Sequence, residues 1–154
     1  MFDDAPEFSK CTNENQFKRM YLKGARNASK FVCFCIETES TVKGFPDVLC
    51  INKENGQASF LEFKVAKAGT IKFESNQPAF YRKYARECAI GSKDSFLEIA
   101  VVAYNFLSGR LHFFMVKELF DKDSPYYITR NNTVDLTNAE KMITEDKEKK
   151  VWKL

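Results

Sequence analysis

The sequence predicts one α/β domain, in the order helix, three strands, helix, two strands and a tail. Three observations carry this expectation. Apolar runs of strand length, rich in β-branched and aromatic residues, occupy 31–36, 48–51, 60–65, 96–107 and 111–116. Segments that open on cap residues and carry apolar positions at helical spacing lie around 12–22 and 75–90. Gly- and Asn-containing turns separate neighbouring runs. At 154 residues the chain has the size of a single domain, and it contains no internal repeat, linker or low-complexity stretch.

The elements follow in order. Residues 1–11 read as a loose lead-in. Thr12 or Asn13 can cap a helix that runs to about Leu22, closed by Gly24, with Phe17, Met20 and Tyr21 facing the core. Phe31 to Ile36 is a strand, and Glu37 to Lys43 is polar and loop-like. Gly44-Phe45-Pro46 is a turn, Val48 to Ile51 a buried strand, Asn52 to Gln57 a hairpin loop, and Phe60 to Val65 the returning strand. Ala66 to Glu74 reads as a loop. Ser75 or Asn76 can cap a second helix, with Pro78 tolerated in its first turn and Gly91 following its end near Ala89 or Ile90. Gln77, Tyr81, Tyr84 and Cys88 fall on one face of that helix.

Further on, Phe96 to Leu107 reads as a long strand, Ser108-Gly109 as a hairpin turn, and Leu111 to Val116 as its partner. Val116 to Phe120 can start a short helix, and Asp123-Ser124-Pro125 breaks the chain. Tyr126 to Thr129 reads as an edge strand. Thr137-Asn138-Ala139-Glu140 matches a capping box, so a C-terminal helix is expected, with the mixed charges from Glu140 to Lys150 on an exposed surface.

Composition narrows the function classes. Apolar residues make up 44% and charged residues 29% of the chain, as in ordinary globular domains, and 15 Phe predict an aromatic core. The net charge of +3 is mild, so any polyanionic partner must be recognised by where the basic residues lie. The cysteines stand at positions 11, 33, 35, 50 and 88, an odd number with no CxxC pair, which predicts buried reduced thiols in an intracellular protein. His112, the single histidine, lies within an apolar strand and reads as structural, and a zinc site is not expected. The acidic start Met1-Phe2-Asp3-Asp4 lacks the apolar core of a secretory leader. No apolar run approaches the roughly 20 residues that span a membrane, so a cytoplasmic location is expected.

The chemistry concentrates in one hairpin. Side chains two apart on a strand share a face. Glu62 and Lys64 therefore point one way, and Leu61, Phe63 and Val65 the other. The hairpin can bring Asp47, at the mouth of the preceding strand, beside that pair. Two carboxylates that meet beside an ammonium can hold a hard divalent cation and a polarised water. The acid-x-lysine pattern also occurs at Glu145-Asp146-Lys147 and Glu148-Lys149-Lys150, where a charged tail accounts for it. Only Glu62 and Lys64 sit inside an apolar strand. A solvent-facing ion pair would explain them, but not Asp47 one hairpin upstream and Gln77 one loop downstream.

Together, Gly44-Phe45-Pro46-Asp47, Phe60-Leu61-Glu62-Phe63-Lys64 and the helix-start Gln77 resemble the PD-(D/E)xK nuclease superfamily. They are most similar to its Holliday junction resolvase branch (RecU-type) and to VRR-NUC nucleases. The resemblance covers about residues 12–120, within a single domain of 1–154 whose helical tail takes up about 136–154. It implies a restriction-endonuclease-like core, with a central mixed sheet of about five strands flanked by helices. It implies a Mg²⁺- or Mn²⁺-dependent deoxyribonuclease active in recombination and repair. Asp47, Glu62 and the backbone carbonyl of Phe63 would be metal ligands. Lys64 would polarise the attacking water, and Gln77 would orient Lys64 or a phosphate oxygen. Many members add a Glu from the first helix; Glu14 is the candidate, with Glu37 and Glu39 as alternatives. RecU-type chains insert a stalk into the junction, and the 52–58 loop here is too short for one. A non-specific, restriction-like or defence nuclease, or an inactive nucleic-acid-binding relative, is therefore the alternative.

The expected partner is DNA, branched or duplex, bound by a homodimer. Contacts to phosphates are expected from Lys18, Arg19, Lys23, Arg26 and Lys30 around the first helix, from Lys43 before Asp47, and from Lys67, Lys72, Arg82, Lys83 and Arg86 beyond the Glu62 strand. No base-reading module is evident, so backbone or structure recognition is expected.

Overall fold

A computed structural model describes residues 7–27, 30–36, 44–88, 97–145 and 152–153; the side chains of 26, 27, 85–88, 97, 144, 145, 152 and 153 are not described. In chain order the elements are α1 (Glu14–Asn27), β1 (Phe31–Cys35), β2 (Val48–Asn52), β3 (Ala58–Ala66), β4 (Thr70–Lys72), α2 (Asn76–Cys88), β5 (Leu97–Asn105), β6 (Arg110–Met115), β7 (Thr133–Asp135), α3 (Leu136–Glu145) and β8 (Trp152–Lys153). Short 3-10 turns cover Phe8–Lys10 and Val116–Phe120.

The main sheet has the order β1-β2-β3-β5-β6-β8, and β4 pairs with β7 in a small second sheet. The β3–β5 pair is parallel along its whole length, from Ala58↔Leu97 to Ala66↔Asn105, while the other pairs are antiparallel. A parallel pair needs a crossover, and α2 lies in it. The fold is thus the expected α/β fold with a central mixed sheet flanked by helices; the short β8 extends the five longer strands.

Both faces of the sheet are covered. Leu61 and Phe63 of β3, with Val102 and Tyr104 of β5, pack under α1 against Phe8, Phe17 and Tyr21. Val101 and Ala103, one position out of phase, pack with Ile71, Phe73, Phe80, Tyr81 and Leu136 on the other side. Each large side chain so buried contributes about 1.5–3 kcal/mol. Strands buried on both faces read as continuous apolar runs, which is why 60–65 and 96–107 lack visible alternation except at Glu62 and Lys64.

The structure corrects several expectations. α1 starts behind Asn13, whose Oδ1 accepts from the Gln16 amide at 2.9 Å. It then runs through Gly24 to Asn27, because Ala25 continues the buried face and outweighs the interior glycine's cost of about 1 kcal/mol. The 66–74 loop contains β4. Tyr126 to Thr129 form no strand: Tyr126 is drawn into the core, stacked on Phe114 at 4.0 Å, and the strand is β7 instead. Asp135, not Thr137, caps α3, accepting from the Asn138 amide at 2.9 Å.

Glu140 is buried rather than exposed. Its Oε1 accepts from Ser108 Oγ at 2.6 Å, Asn105 Nδ2 at 3.2 Å and His112 Nε2 at 2.8 Å. His112, fully buried, is held on its other nitrogen by the Tyr126 hydroxyl at 2.9 Å. This network fastens α3 to the β5–β6 hairpin and makes His112 a structural residue. Cys11, Cys33 and Cys50 are buried and Cys35 is exposed, none of them in a disulfide; the side chain of Cys88 lies outside the described residues. Among the described residues no helix is long and apolar enough to cross a membrane.

Candidate functional site

The pleat of β3 places Glu62 and Lys64 on the same side of the strand, beneath the start of α2. The β2–β3 register pairs Val48 with Leu61, so Asp47 lies one step beyond, opposite Glu62. The turn before Asp47 is pinned by Gly44. Its φ is +90°, and a Cβ there would run into the Asn76 carbonyl at the start of α2. Glycine thus lets the Asp47 turn sit directly on the helix that carries Gln77.

Gln77 joins the charged residues. Its Nε2 donates to Glu62 Oε1 at 2.7 Å, while its Oε1 accepts from Lys64 Nζ at 3.0 Å and from the Glu74 amide at 2.9 Å. One amide thus holds carboxylate and ammonium in fixed relation. The direct Lys64–Glu62 separation is longer, 4.0 Å, and Glu14 of α1 approaches Lys64 Nζ to 3.9 Å.

Asp47, Glu62, Phe63, Lys64, Gln77 and Glu14 all line one cleft of about 590 Å³, together with Asn15, Lys18, Gly44, Phe45, Glu74 and Asn76. Three of its acids are destabilised as anions. Burial, then Asp47, pushes Glu62 up to about 8, against the pull of Lys64 and Gln77. Burial also raises Asp47, with Lys18, Lys64 and the Phe63 amide opposing. Glu14 is raised by burial and, further, by Asp47 and Glu74, with Lys64 opposing.

Among the described residues, Glu62 Oε2 is buried without a hydrogen-bond partner, as are Asn76 Oδ1 and the Tyr81 hydroxyl. Such a carboxylate oxygen ordinarily costs free energy. A divalent cation would remove both the unsatisfied oxygen and the repulsion among the carboxylates, so these residues fit one. The donors are hard oxygens, which suit Mg²⁺ or Mn²⁺ and not a thiophilic metal. No three His, Cys, Asp or Glu side chains among the described residues form a ready-made cluster. Mg²⁺ does not require one, since it is held by one or two carboxylates with waters and substrate oxygens.

The expected phosphate contacts separate into groups. Lys18 is half-buried in the cleft itself, one helical turn from Glu14. Arg19, Lys23, Lys30, Lys67, Lys72, Arg82 and Lys83 are exposed, with the Arg82 guanidinium 4.6 Å from the centre of the Phe120 ring. Lys43 and the alternative acids Glu37 and Glu39 lie outside the described residues, as do the side chains of Arg26 and Arg86. Sequence reasoning missed Asn15, Glu74 and Asn76 at the cleft and the buried Tyr81 hydroxyl beneath it. One signal could have found part of this: Asn15 stands three residues before Lys18 and so shares its helix face.

The fold defines a class before any relative does: a mixed sheet with an acid-x-lysine strand and a helix-start glutamine over a cleft. Among solved structures, the chain is similar to Archaeoglobus fulgidus Hjc, a Holliday junction resolvase from an archaeal hyperthermophile. The two share 16% sequence identity with a TM-score of 0.56, over 82% of this chain and 91% of that chain. The likeness establishes a common fold. No protein-family model and no curated protein matches the chain.

Proposed function

We propose that this protein is a metal-dependent endonuclease that hydrolyses phosphodiester bonds in DNA, with a preference for branched substrates of the Holliday-junction kind. The observation that carries the reading is the Gln77 bridge, which holds Glu62 and Lys64 in one cleft beside Asp47 while Glu62 Oε2 stays unsatisfied. An ordinary structural ion pair needs neither a second, half-buried carboxylate beside it nor an unsatisfied oxygen. The fold shared with a Holliday junction resolvase supports the same reading.

Mg²⁺ or Mn²⁺ held by Asp47, Glu62 and the Phe63 carbonyl, with Glu14 as a further carboxylate, would supply Lewis-acid charge for the phosphate and lower the pKa of an attacking water. The chain's own groups do the rest. Lys64 Nζ, held by Gln77, donates to the attacking water or a phosphate oxygen and offsets developing negative charge. Lys18 neutralises a phosphate entering along α1. The exposed basic residues hold the flanking backbone, and a homodimer would present two clefts to two strands. The five residues joining β2 and β3 leave no room for a junction-entering stalk, which favours, as a second reading, a nuclease less selective for branching.

The test is a cleavage panel with pure protein: four-way junction, flap, duplex, single-stranded DNA and RNA, each with Mg²⁺, Mn²⁺ or EDTA. Metal-dependent cleavage of DNA, fastest on the junction, is expected. Equal rates on junction and duplex would leave the nuclease and remove the branch preference.

A further inference from the structure

Behind the Asp47 turn, β1 and β2 place two cysteines directly opposite each other: Cys33 pairs with Cys50. The hydrogen-bond parity of this ladder follows from its two ends. The Ile36 amide donates to the Asp47 carbonyl at 2.8 Å, and the Lys53 amide donates to the Lys30 carbonyl at 2.9 Å. Hydrogen-bonded pairs therefore alternate through 36/47, 34/49, 32/51 and 30/53, which leaves Cys33 and Cys50 at a non-hydrogen-bonded pair. Opposed side chains approach each other most closely at such pairs. The sulfurs are 2.6 Å apart, within reach of a bond that spans about 2.05 Å. Nothing in the proposed chemistry uses them.

We infer that Cys33 and Cys50 form a thiol-oxidation site, converted to a cross-strand disulfide by a small-molecule disulfide such as oxidised glutathione. One cysteine thiolate attacks the glutathione disulfide and releases one glutathione thiol, leaving a mixed disulfide. The second thiolate then attacks the protein sulfur of that mixed disulfide. The Cys33–Cys50 bond forms, a second glutathione thiol leaves, and the two protons lost by the cysteines end on the two released thiols. Both cysteines are buried, so the disulfide reaches them through local opening of β1, which lies at one edge of the sheet and has a neighbouring strand on one side alone. The bond staples β1 to β2, the strand that follows Asp47. The site is independent of the nuclease reading.

The experiment uses the full chain, incubated with oxidised glutathione, quenched with N-ethylmaleimide, and analysed by intact mass and non-reducing peptide mapping. Expected is one intramolecular disulfide, a loss of about 2 Da, mapping to Cys33–Cys50. The oxidised protein's melting midpoint should rise by about 5 °C or more and return on reduction. Cys35→Ser should oxidise as the wild type does, and Cys33→Ser should not gain the bond. The mapping on the unaltered chain stands even if that variant folds poorly. A bond to Cys11, Cys35 or Cys88 instead, or both Cys33 and Cys50 found alkylated after prolonged oxidation, would overturn the site.

Discussion

At the scale of the residue, Glu62 carries the account. A carboxyl whose folded pKa stands near 8, against 4.5 for the ordinary group, binds a proton more readily when folded than when unfolded. Its contribution to stability is full below pH 4.5 and is lost as pH rises through 8. Glu62→Gln removes that loss. The variant is expected to be more stable than the wild type at pH 8 without metal, by a few kcal/mol, and the gap should close near pH 4.5 in urea titrations. The same substitution should cut DNA cleavage by about 100-fold or more, because the group that destabilises the fold is the one offered to the metal. Divalent-ion affinity, read by calorimetry, should rise with pH up to about 8 and release protons on binding. Lys64→Ala should lower turnover to a similar extent while leaving DNA affinity nearly unchanged. If it unfolds the chain instead, Lys64 is only an ion-pair partner.

At the scale of the element, the β2–β3 hairpin and the start of α2 were the legible part. Strand period two put Glu62 and Lys64 on one face, and a cap-like Asn76 with Pro78 in the first helical turn put Gln77 above them. What could not be read came from tertiary contact. Gly24 reads as a helix end and is crossed, because the face of Phe17 and Tyr21 continues past it to Ala25 and stays packed on the sheet. The Tyr126 segment has the composition of a strand but pairs with none, and buries Tyr126 and Ile128 in the core. Glu140 stood in a mixed-charge run, and only folding brings Asn105, Ser108 and His112 to it. That network predicts its own pH response. Burial holds His112 below its ordinary 6.5, opposed by Glu140. The neutral histidine's stability is therefore present above pH 6.5 and is lost as pH falls below it. Glu140→Ala, which removes the acceptor shared by His112 Nε2, Asn105 Nδ2 and Ser108 Oγ, should cost about 3 kcal/mol in urea unfolding. Asp135→Ala, which removes the α3 cap, should cost about 1 kcal/mol.

At the scale of the whole molecule, the fold was legible because apolar runs, turn residues and caps agreed with one another. The cleft's full lining was not, because α1, the Asp47 turn, β3 and α2 come from separate stretches of the chain that meet only in the folded protein. Substrate choice is also a whole-molecule property. If exposed lysines and arginines on several elements hold the DNA backbone, log affinity should fall linearly with log salt, by about 0.9 per phosphate contact on duplex DNA. Affinity should depend little on base sequence. Fluorescence anisotropy with Glu62→Gln protein, across salt and across unrelated sequences, measures both.

On the proposed function, the cleft joining Asp47, Glu62, Lys64 and Gln77 hydrolyses DNA with a divalent metal. Incubation of the pure chain with a labelled four-way junction, in Mg²⁺ or Mn²⁺ and in EDTA, tests it most directly. Cleavage is predicted with metal, none with EDTA, and at least about 100-fold less with Glu62→Gln. Cleavage that persists in EDTA or in that variant, or no cleavage of any DNA by the wild-type chain with either metal, would contradict it.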